Sequence, residues 1–220
     1  HAHFNLDNLR EEGFLPEAIL NYLAILGRSL KEEVLSLPAI IQTFDLSHLS
    51  GQSTVKYDEK KLLWLNKAWL TKKTDIELLS FVQKLEDLKF SPEEKAKLTQ
   101  AFALIKSEAH TLHELYDLSK FVINPPHTAE LPEQIKNIEN LRETLDAVLK
   151  ILSEEQGIEK AITALKTHSK SSGVSLRNIF TPIRFACTGK VQGLGLPVIF
   201  ELIGIDGVKA ALTRLIKATT

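Results

Sequence analysis

Apolar residues recur along this chain at helical spacing, and no run alternates at period two with turn signals around it. Leu6 and Leu9, three apart, predict a weak helix from Phe4 to Glu12, broken by Gly13-Phe14. Leu15-Pro16 opens a stronger one, because proline suits the first helical position. Its apolar face is Ala18, Ile19, Tyr22, Leu23 and Leu26, its closing residue is Gly27, and Asn21, set among apolar neighbours, is expected to hydrogen-bond locally. Short helices are expected around Lys31–Leu35 and Ala39–Phe44, followed by a turn-rich connector from Asp45 to Thr54. Asp58 predicts an N-cap for a helix bearing Leu62, Leu63, Leu65, Trp64 and Trp69. Leucines surround both tryptophans and no basic-aromatic interleaving is present, which favours a core or interface role for them over a stacking platform for bases.

Thr74-Asp-Ile-Glu77 and Ser91-Pro-Glu-Glu94 are capping boxes. The first opens a helix to about Lys89 with Ile76, Leu79, Val82 and Leu85 inward. The second opens one that runs to about His110, where Thr111-Leu-His-Glu114 marks a further N-terminus. Pro125-Pro126 excludes a helix from Val122 to Thr128. Pro132 to Leu152 reads as the longest uninterrupted helix, with Leu141, Leu145, Val148, Leu149 and Leu152 on one side. A helix from Gly157 to about His168, a polar loop over Ser169–Gly173, and helices over Arg177–Cys187, Leu196–Ile203 and Gly207–Ala218 complete the chain. The fold class is all-α, consecutive helical bundles, and no repeat of solenoid length recurs.

Composition narrows the function. In 220 residues the hydrophobic fraction of 44% and charged fraction of 25% are ordinary for a globular protein. No apolar run approaches a membrane span, and no secretory signal opens the chain. The single Cys187 excludes an internal disulfide and fits a reducing cytoplasm; it lies in an apolar segment, as a core thiol would. The lack of methionine leads us to expect a fragment, with His1-Ala2-His3 as a tag remnant. No glycine-rich nucleotide loop, Gly-x-Ser-x-Gly or His-Glu-x-x-His is present, and His110 and His113 read as surface histidines rather than a metal pair. The net charge is −1, but Gly157–Thr220 holds nine Lys or Arg against three Asp or Glu, a basic module on an acidic body.

Within that module one stretch has a different texture: Phe180-Thr-Pro-Ile-Arg-Phe-Ala-Cys-Thr-Gly189-Lys-Val-Gln-Gly-Leu-Gly-Leu-Pro-Val198. An apolar segment carrying Arg184 stops at Thr188-Gly189, and a loop with Gly193, Gly195 and Pro197 leads into a new helix. Glycines let another molecule approach the backbone, and loops held between rigid helices carry binding residues. An ordinary helix connection closed by a glycine C-cap has the same signature.

Two blocks resemble the bacterial-type glutamyl-tRNA synthetases, class I aminoacyl-tRNA synthetases. Glu11-Glu-Gly-Phe-Leu-Pro-Glu-Ala-Ile-Leu-Asn-Tyr-Leu-Ala-Ile-Leu-Gly27 is similar to the family's segment E-x-G-Y-L-P-E-A-L-L-N-Y-L-A-L-L-G. Pro182-Ile-Arg-Phe-Ala-Cys-Thr-Gly189, Phe200-Glu-Leu-Ile-Gly204 and Ala211-Leu-Thr-Arg-Leu215 are similar to its P-L-R-x-A-L-T-G, L-F-E-x-L and R-L pattern. Tyr57–Asn66 resembles F-D-x-x-K-L-x-W-L-N, and Thr111–Leu115 echoes T-L-x-E-L. The resemblance implies the tRNA-binding, anticodon-recognising part of a glutamate–tRNA ligase. Residues 1–72 would be a stem-contact-like helical domain, 73–156 the first part of the anticodon-binding bundle and 157–220 its basic second part. The catalytic domain would lie upstream. The parent would use ATP and magnesium; this part would need no cofactor, would be inactive alone, and would act as a cytoplasmic monomer on tRNA(Glu) and/or tRNA(Gln).

By the same resemblance, Arg184 and the loop of Lys190, Gly193, Leu194, Gly195, Leu196 and Pro197 would meet anticodon bases, although this loop is longer than the family's usual one. Glutamate-only members carry an arginine three residues before T-L-x-E-L; here Glu108 stands there. A carboxylate cannot donate the same hydrogen bonds, so the expectation is a protein that accepts or prefers glutamine tRNA. The alternative to RNA binding is a helical protein-interaction module. Its support is the acidic first two-thirds of the chain.

Overall fold

A computed structural model of the chain describes residues 5–26, 31–43, 57–126 and 130–218. These fall into two compact units, residues 1–117 and 118–220, taken separately below. The domain limits expected at 72/73 and 156/157 fall inside the first and second unit. Among the described residues there are helices and no strands.

In the first unit α1 (Leu6–Glu11) is capped by Asn5, whose side chain accepts from the Asp7 amide. Gly13 follows at φ +83, and a Cβ there would lie 3.1 Å from the backbone nitrogens of Leu112 and His113. Only glycine lets the chain pass this close at that angle. Helix α2 (Pro16–Ile25) opens on Pro16 as expected and buries Ala18, Ile19 and Tyr22, whereas Leu23 is 41% exposed. The expected closing residue Gly27 and the 45–54 connector lie outside the described residues.

Asn21 corrects two expectations together. It is fully buried, and its bonds are not local: Nδ2 donates to the Glu33 carbonyl at 2.8 Å, while Oδ1 accepts from the Leu35 amide at 2.9 Å and from Trp69 Nε1 at 3.1 Å. Held this way, residues 33–35 form no helix, and the next one is α3 (Leu37–Thr43).

Asp58 caps α4 (Glu59–Lys72) through the Lys61 amide, and Leu62, Leu65 and Leu70 are buried. The helix also buries Asn66, which accepts from the Leu15 amide at 2.8 Å and donates to the His110 carbonyl at 2.6 Å. Leu15 is the N-cap of α2 and has no side-chain cap of its own, so one amide satisfies orphan groups on two other segments. The two tryptophans separate. Trp69 is half-buried against Asn21, while Trp64 is 47% exposed with the Lys61 ammonium 4.3 Å from its ring centroid.

Both capping boxes form, at Thr74 for α5 (Asp75–Leu85) and at Ser91 for α6 (Pro92–Ile105). The buried stripe of α5 is Leu78, Leu79 and Val82, and Ile76, in the first turn, is 73% exposed. Helix α6 stops at Ile105, short of His110, because residues 106–111 turn toward α7 (Leu112–Ser119). Thr111 Oγ1 accepts the Glu114 amide, and Glu114 reaches back to the His110 amide, a capping arrangement of the expected kind.

After the last two residues of α7, the second unit holds a 3₁₀ turn (Lys120–Val122), α8 (Glu133–Lys136), α9 (Leu141–Glu154), α10 (Ile158–Ser172), α11 (Leu176–Thr188) and α12 (Leu196–Ala218). The long helix expected from Pro132 to Leu152 is two, because Asn140 takes the left-handed conformation at φ 52. The polar run Ser169–Ser172 is helical, not a loop. The hydroxyls of Ser171 and Ser172 donate back to the His168 carbonyl, and Gly173, at φ 76, ends the helix. Within α12 the helix breaks at Gly204, φ 68 and ψ 167, so the span holds the two helices expected there. The core is built from Leu145, Val148, Leu165, Ile179, Ile183, Ile199, Phe200, Leu212 and Leu215. Each such burial contributes about 1.5–3 kcal/mol. Acidic α9 packs on α10, α11 and α12, so the charge step at Gly157 runs through one bundle.

Candidate nucleic-acid interface

The candidate loop hangs between two well-seated helices. Ser175 caps α11 by accepting the Asn178 amide at 3.2 Å, and α11 buries Ile179, Pro182, Ile183, Phe185, Ala186 and Cys187. Pro182 has no amide hydrogen, so α11 lacks one internal bond at mid-length and relies on this burial. The helix ends at Gly189, φ 74, whose amide donates to the Phe185 carbonyl at 2.8 Å. A Cβ there would lie 3.1 Å from Pro126 Cβ, so both the angle and the space call for glycine. The Thr188 hydroxyl donates to the Arg184 carbonyl and accepts the Lys190 amide at 3.2 Å, which fixes the first step out of the helix.

Arg184 then sets the rest. It is half-buried, and its guanidinium donates from Nε to the Leu194 carbonyl at 2.9 Å and from Nη1 to the Val191 carbonyl at 3.0 Å. The planar fork suits two carbonyls a few residues apart on a curved loop. Gly193, at φ +122 and exposed, occupies a conformation that side chains avoid. Gly195 has no such angle, and a Cβ there would meet only ordinary contact at 3.6 Å. Leu194 and Leu196 are 6% and 2% exposed, so their side chains belong to the core; what they offer a partner is backbone. Lys190 is half-buried, and Gly195 and Pro197 are exposed.

Beside the loop lies a cleft of about 410 Å³ lined by Gln134, Arg177, Thr181, Arg184, Val191 and Gln192. Arg177, Thr181 and Arg184 share one face of α11 through their spacing of four and three. Of the lining residues, the sequence points to Arg184 and to the loop from Lys190 to Pro197 that carries Val191 and Gln192. The i, i+4, i+7 pattern was the signal that could have added Arg177 and Thr181. The amide of Gln134, from α8, carries no such signal. No carboxylate lines this cleft.

Glu108 lies in the first unit, exposed, in the turn after α6, with its own amide bonded to the Ile105 carbonyl at 2.9 Å. His110 Nδ1 lies 3.0 Å from Glu114 Oε2, and His113 lies between Glu86 and the Glu11 carbonyl. Among the described residues, no three His, Cys, Asp or Glu side chains come together to hold a metal ion. Cys187 is a buried thiol whose pKa is pushed up to about 12 by desolvation, against a small opposing pull from Arg214. It stays protonated at neutral pH and is a core residue, as expected. Among the described residues no helix is long and apolar enough to cross a membrane.

Among the described residues, fold and loop define an all-helical module with a glycine-bearing loop held by Arg184. Comparison with known proteins places it. The family model described as an anticodon binding domain matches residues 77–216, and the chain belongs to that family. Among curated proteins, it is 32% identical over 230 residues to glutamate–tRNA ligase 2 of Syntrophus aciditrophicus, covering 97% of this chain and 46% of that protein. It is 30% identical over 222 residues to the glutamate–tRNA ligase of Thermus thermophilus, covering 99% and 47%. A solved glutamate–tRNA ligase from Elizabethkingia meningosepticum has the same fold, with a TM-score of 0.72 at 22% identity, covering 95% of this chain and 42% of that one. The chain spans about half the length of the curated relatives it matches.

Proposed function

We propose that this chain is the tRNA-holding, anticodon-recognising portion of a glutamate–tRNA ligase. The observation that carries the reading is the loop at Arg184: a glycine-bearing segment whose backbone curvature is set by an arginine within a cleft free of carboxylates. Unpaired bases are read by such means, through guanidinium planes, backbone groups and side-chain amides on base edges. Lysines and arginines of α10–α12 supply the phosphate attraction. On this reading Arg184, Lys190, Gly193, Leu194, Gly195, Leu196 and Pro197 form the anticodon-facing surface, with Leu194 and Leu196 contributing backbone. Residues 1–72 serve the tRNA stem, 73–156 and 157–220 the anticodon. The joining of glutamate to tRNA, with ATP and magnesium, belongs to the rest of such a ligase, a cytoplasmic enzyme, and this portion alone does not carry it out.

Specificity rests on Glu108. Its exposed carboxylate stands where a base-reading arginine would favour glutamate tRNA, and its charge repels rather than donates. The protein accordingly accepts glutamine tRNA as well as, or ahead of, glutamate tRNA. Filter binding of the chain to both transcripts tests this: comparable affinity, shifted toward glutamate tRNA in Glu108→Arg, is expected. A strong preference for glutamate tRNA that persists in Glu108→Ala would contradict the specificity assignment. A chain that binds neither transcript, at any salt concentration, would instead support a helical protein-interaction module.

A further inference from the structure

The cleft on α11 holds more than the base-facing loop requires. Its far end is Arg177, an exposed cation with no ion-pair or hydrogen-bond partner among the described residues. Arg177 stands in the first turn of α11, and no acidic residue stands in that turn. A positive charge at the positive end of a helix dipole is unfavourable unless an anion comes near. Next along the same face is Thr181. It is 8% exposed, lines the cleft, and its hydroxyl has no hydrogen-bond partner among the described residues. Thr167, Thr188 and Thr213 each donate instead to the carbonyl four residues back. A hydroxyl on a largely buried residue, without a protein partner and open to a cleft, is suited to a ligand atom. Arg184, at the near end, already donates two of its five N–H groups to the loop, which leaves three for a ligand.

We propose that Arg177 and the Thr181 hydroxyl form a phosphate subsite. It binds a backbone phosphodiester of the same single-stranded RNA segment whose base faces Arg184 and Gln192. The inference rests on the RNA-binding reading above and adds a sequence-independent contact to it. Two donors of different shape converge on an oxyanion, and no carboxylate lines the cleft to repel it. Gln134, from α8, can donate its amide to the same phosphate or its sugar.

The test is binding of the full chain, followed by fluorescence anisotropy across a salt series, to a tRNA transcript with a UUC anticodon and to one with that anticodon replaced. Arg177→Ala is expected to bind both transcripts about tenfold more weakly, with the slope of log K against log salt smaller by about one. Arg177→Lys is expected to keep most of the affinity, because a phosphate needs a cation more than a fork. Thr181→Val should weaken both transcripts alike by a few-fold. Circular dichroism should stay unchanged for the exposed Arg177 variants. If the wild-type chain binds with the expected salt dependence and Arg177→Ala binds equally well with the same slope, the subsite is refuted and the wider reading stands. If Arg177 variants discriminate between the two anticodons, the residue reads a base and the phosphate assignment is wrong. If the wild-type chain binds neither transcript, the wider reading fails and the subsite with it.

Discussion

Arg184 Nε donates to the carbonyl oxygen of Leu194 at 2.9 Å, across ten residues of sequence. With the second bond, to Val191 at 3.0 Å, the side chain holds the loop in one curve before any partner arrives. Arg184 therefore shapes the loop, and on the proposed reading its remaining donors face the RNA. Replacing it with lysine keeps the charge but provides no fork. We expect Arg184→Lys to destabilise the second unit by about 1.5–3 kcal/mol, the scale for hydrogen bonds to a charged group. Amide hydrogen exchange over residues 190–195 should accelerate, while that of α9 and α10 should change little.

The glycines of the loop should not be equivalent. Gly189 is at φ 74 with Pro126 Cβ 3.1 Å from where its own Cβ would be, and Gly195 has neither constraint. Gly189→Ala is expected to cost about 1–2 kcal/mol from the left-handed conformation alone, more with the contact. Gly195→Ala should be close to neutral for folding. Thermal unfolding of the two variants side by side would show the difference.

Asn66 joins the Leu15 amide to the His110 carbonyl inside the first unit. Asn66→Ala leaves the buried Leu15 amide and the part-buried His110 carbonyl without this partner, so a loss of about 1–3 kcal/mol is expected in urea unfolding. Asn66→Asp should be at least as damaging, because the acid cannot donate to His110 in its charged form.

His113 gives the first unit a pH dependence. Burial alone would lower its pKa, but hydrogen bonds to the Glu11 carbonyl and to the Glu86 carboxylate outweigh burial and raise it above the ordinary 6.5. A histidine with a raised folded-state pKa contributes stability that is fully present below the unfolded pKa and is lost as pH rises through the folded value. Wild-type stability should therefore decline by this contribution as pH is raised from about 6 to about 8, and His113→Gln should flatten that part of the profile. An unfolding series across this range, with the variant as control, measures it.

The sequence was most informative where local chemistry decides. The capping boxes at Thr74 and Ser91, the cap at Asp58, and the glycine end of α11 formed as their residues implied. It misled where a distant partner intervened. Residues 33–35 carry no local sign that a buried Asn21 takes their backbone. Asn140 stands at φ 52 in the middle of an otherwise continuous apolar pattern, where periodicity alone saw one helix. Ile76 has the right spacing for the buried side of α5, but that side is formed by Leu78, Leu79 and Val82. For the site, Arg184 and the loop could be picked out from glycines, charge and family resemblance. That its guanidinium holds the loop, and that Gln134 from another helix lines the same cleft, depend on tertiary packing that no spacing encodes.

The central claim, that the Arg184 loop contacts anticodon bases, is tested most directly by direct titration with two RNAs. One is a tRNA transcript with a UUC anticodon; the other is the same transcript with its anticodon loop replaced by a stable tetraloop. We predict that the chain binds the intact transcript with steep salt dependence and loses at least tenfold in affinity for the tetraloop version, and that Arg184→Ala erases most of this difference. Equal affinity for the two RNAs, or a difference that survives Arg184→Ala intact, would contradict the account.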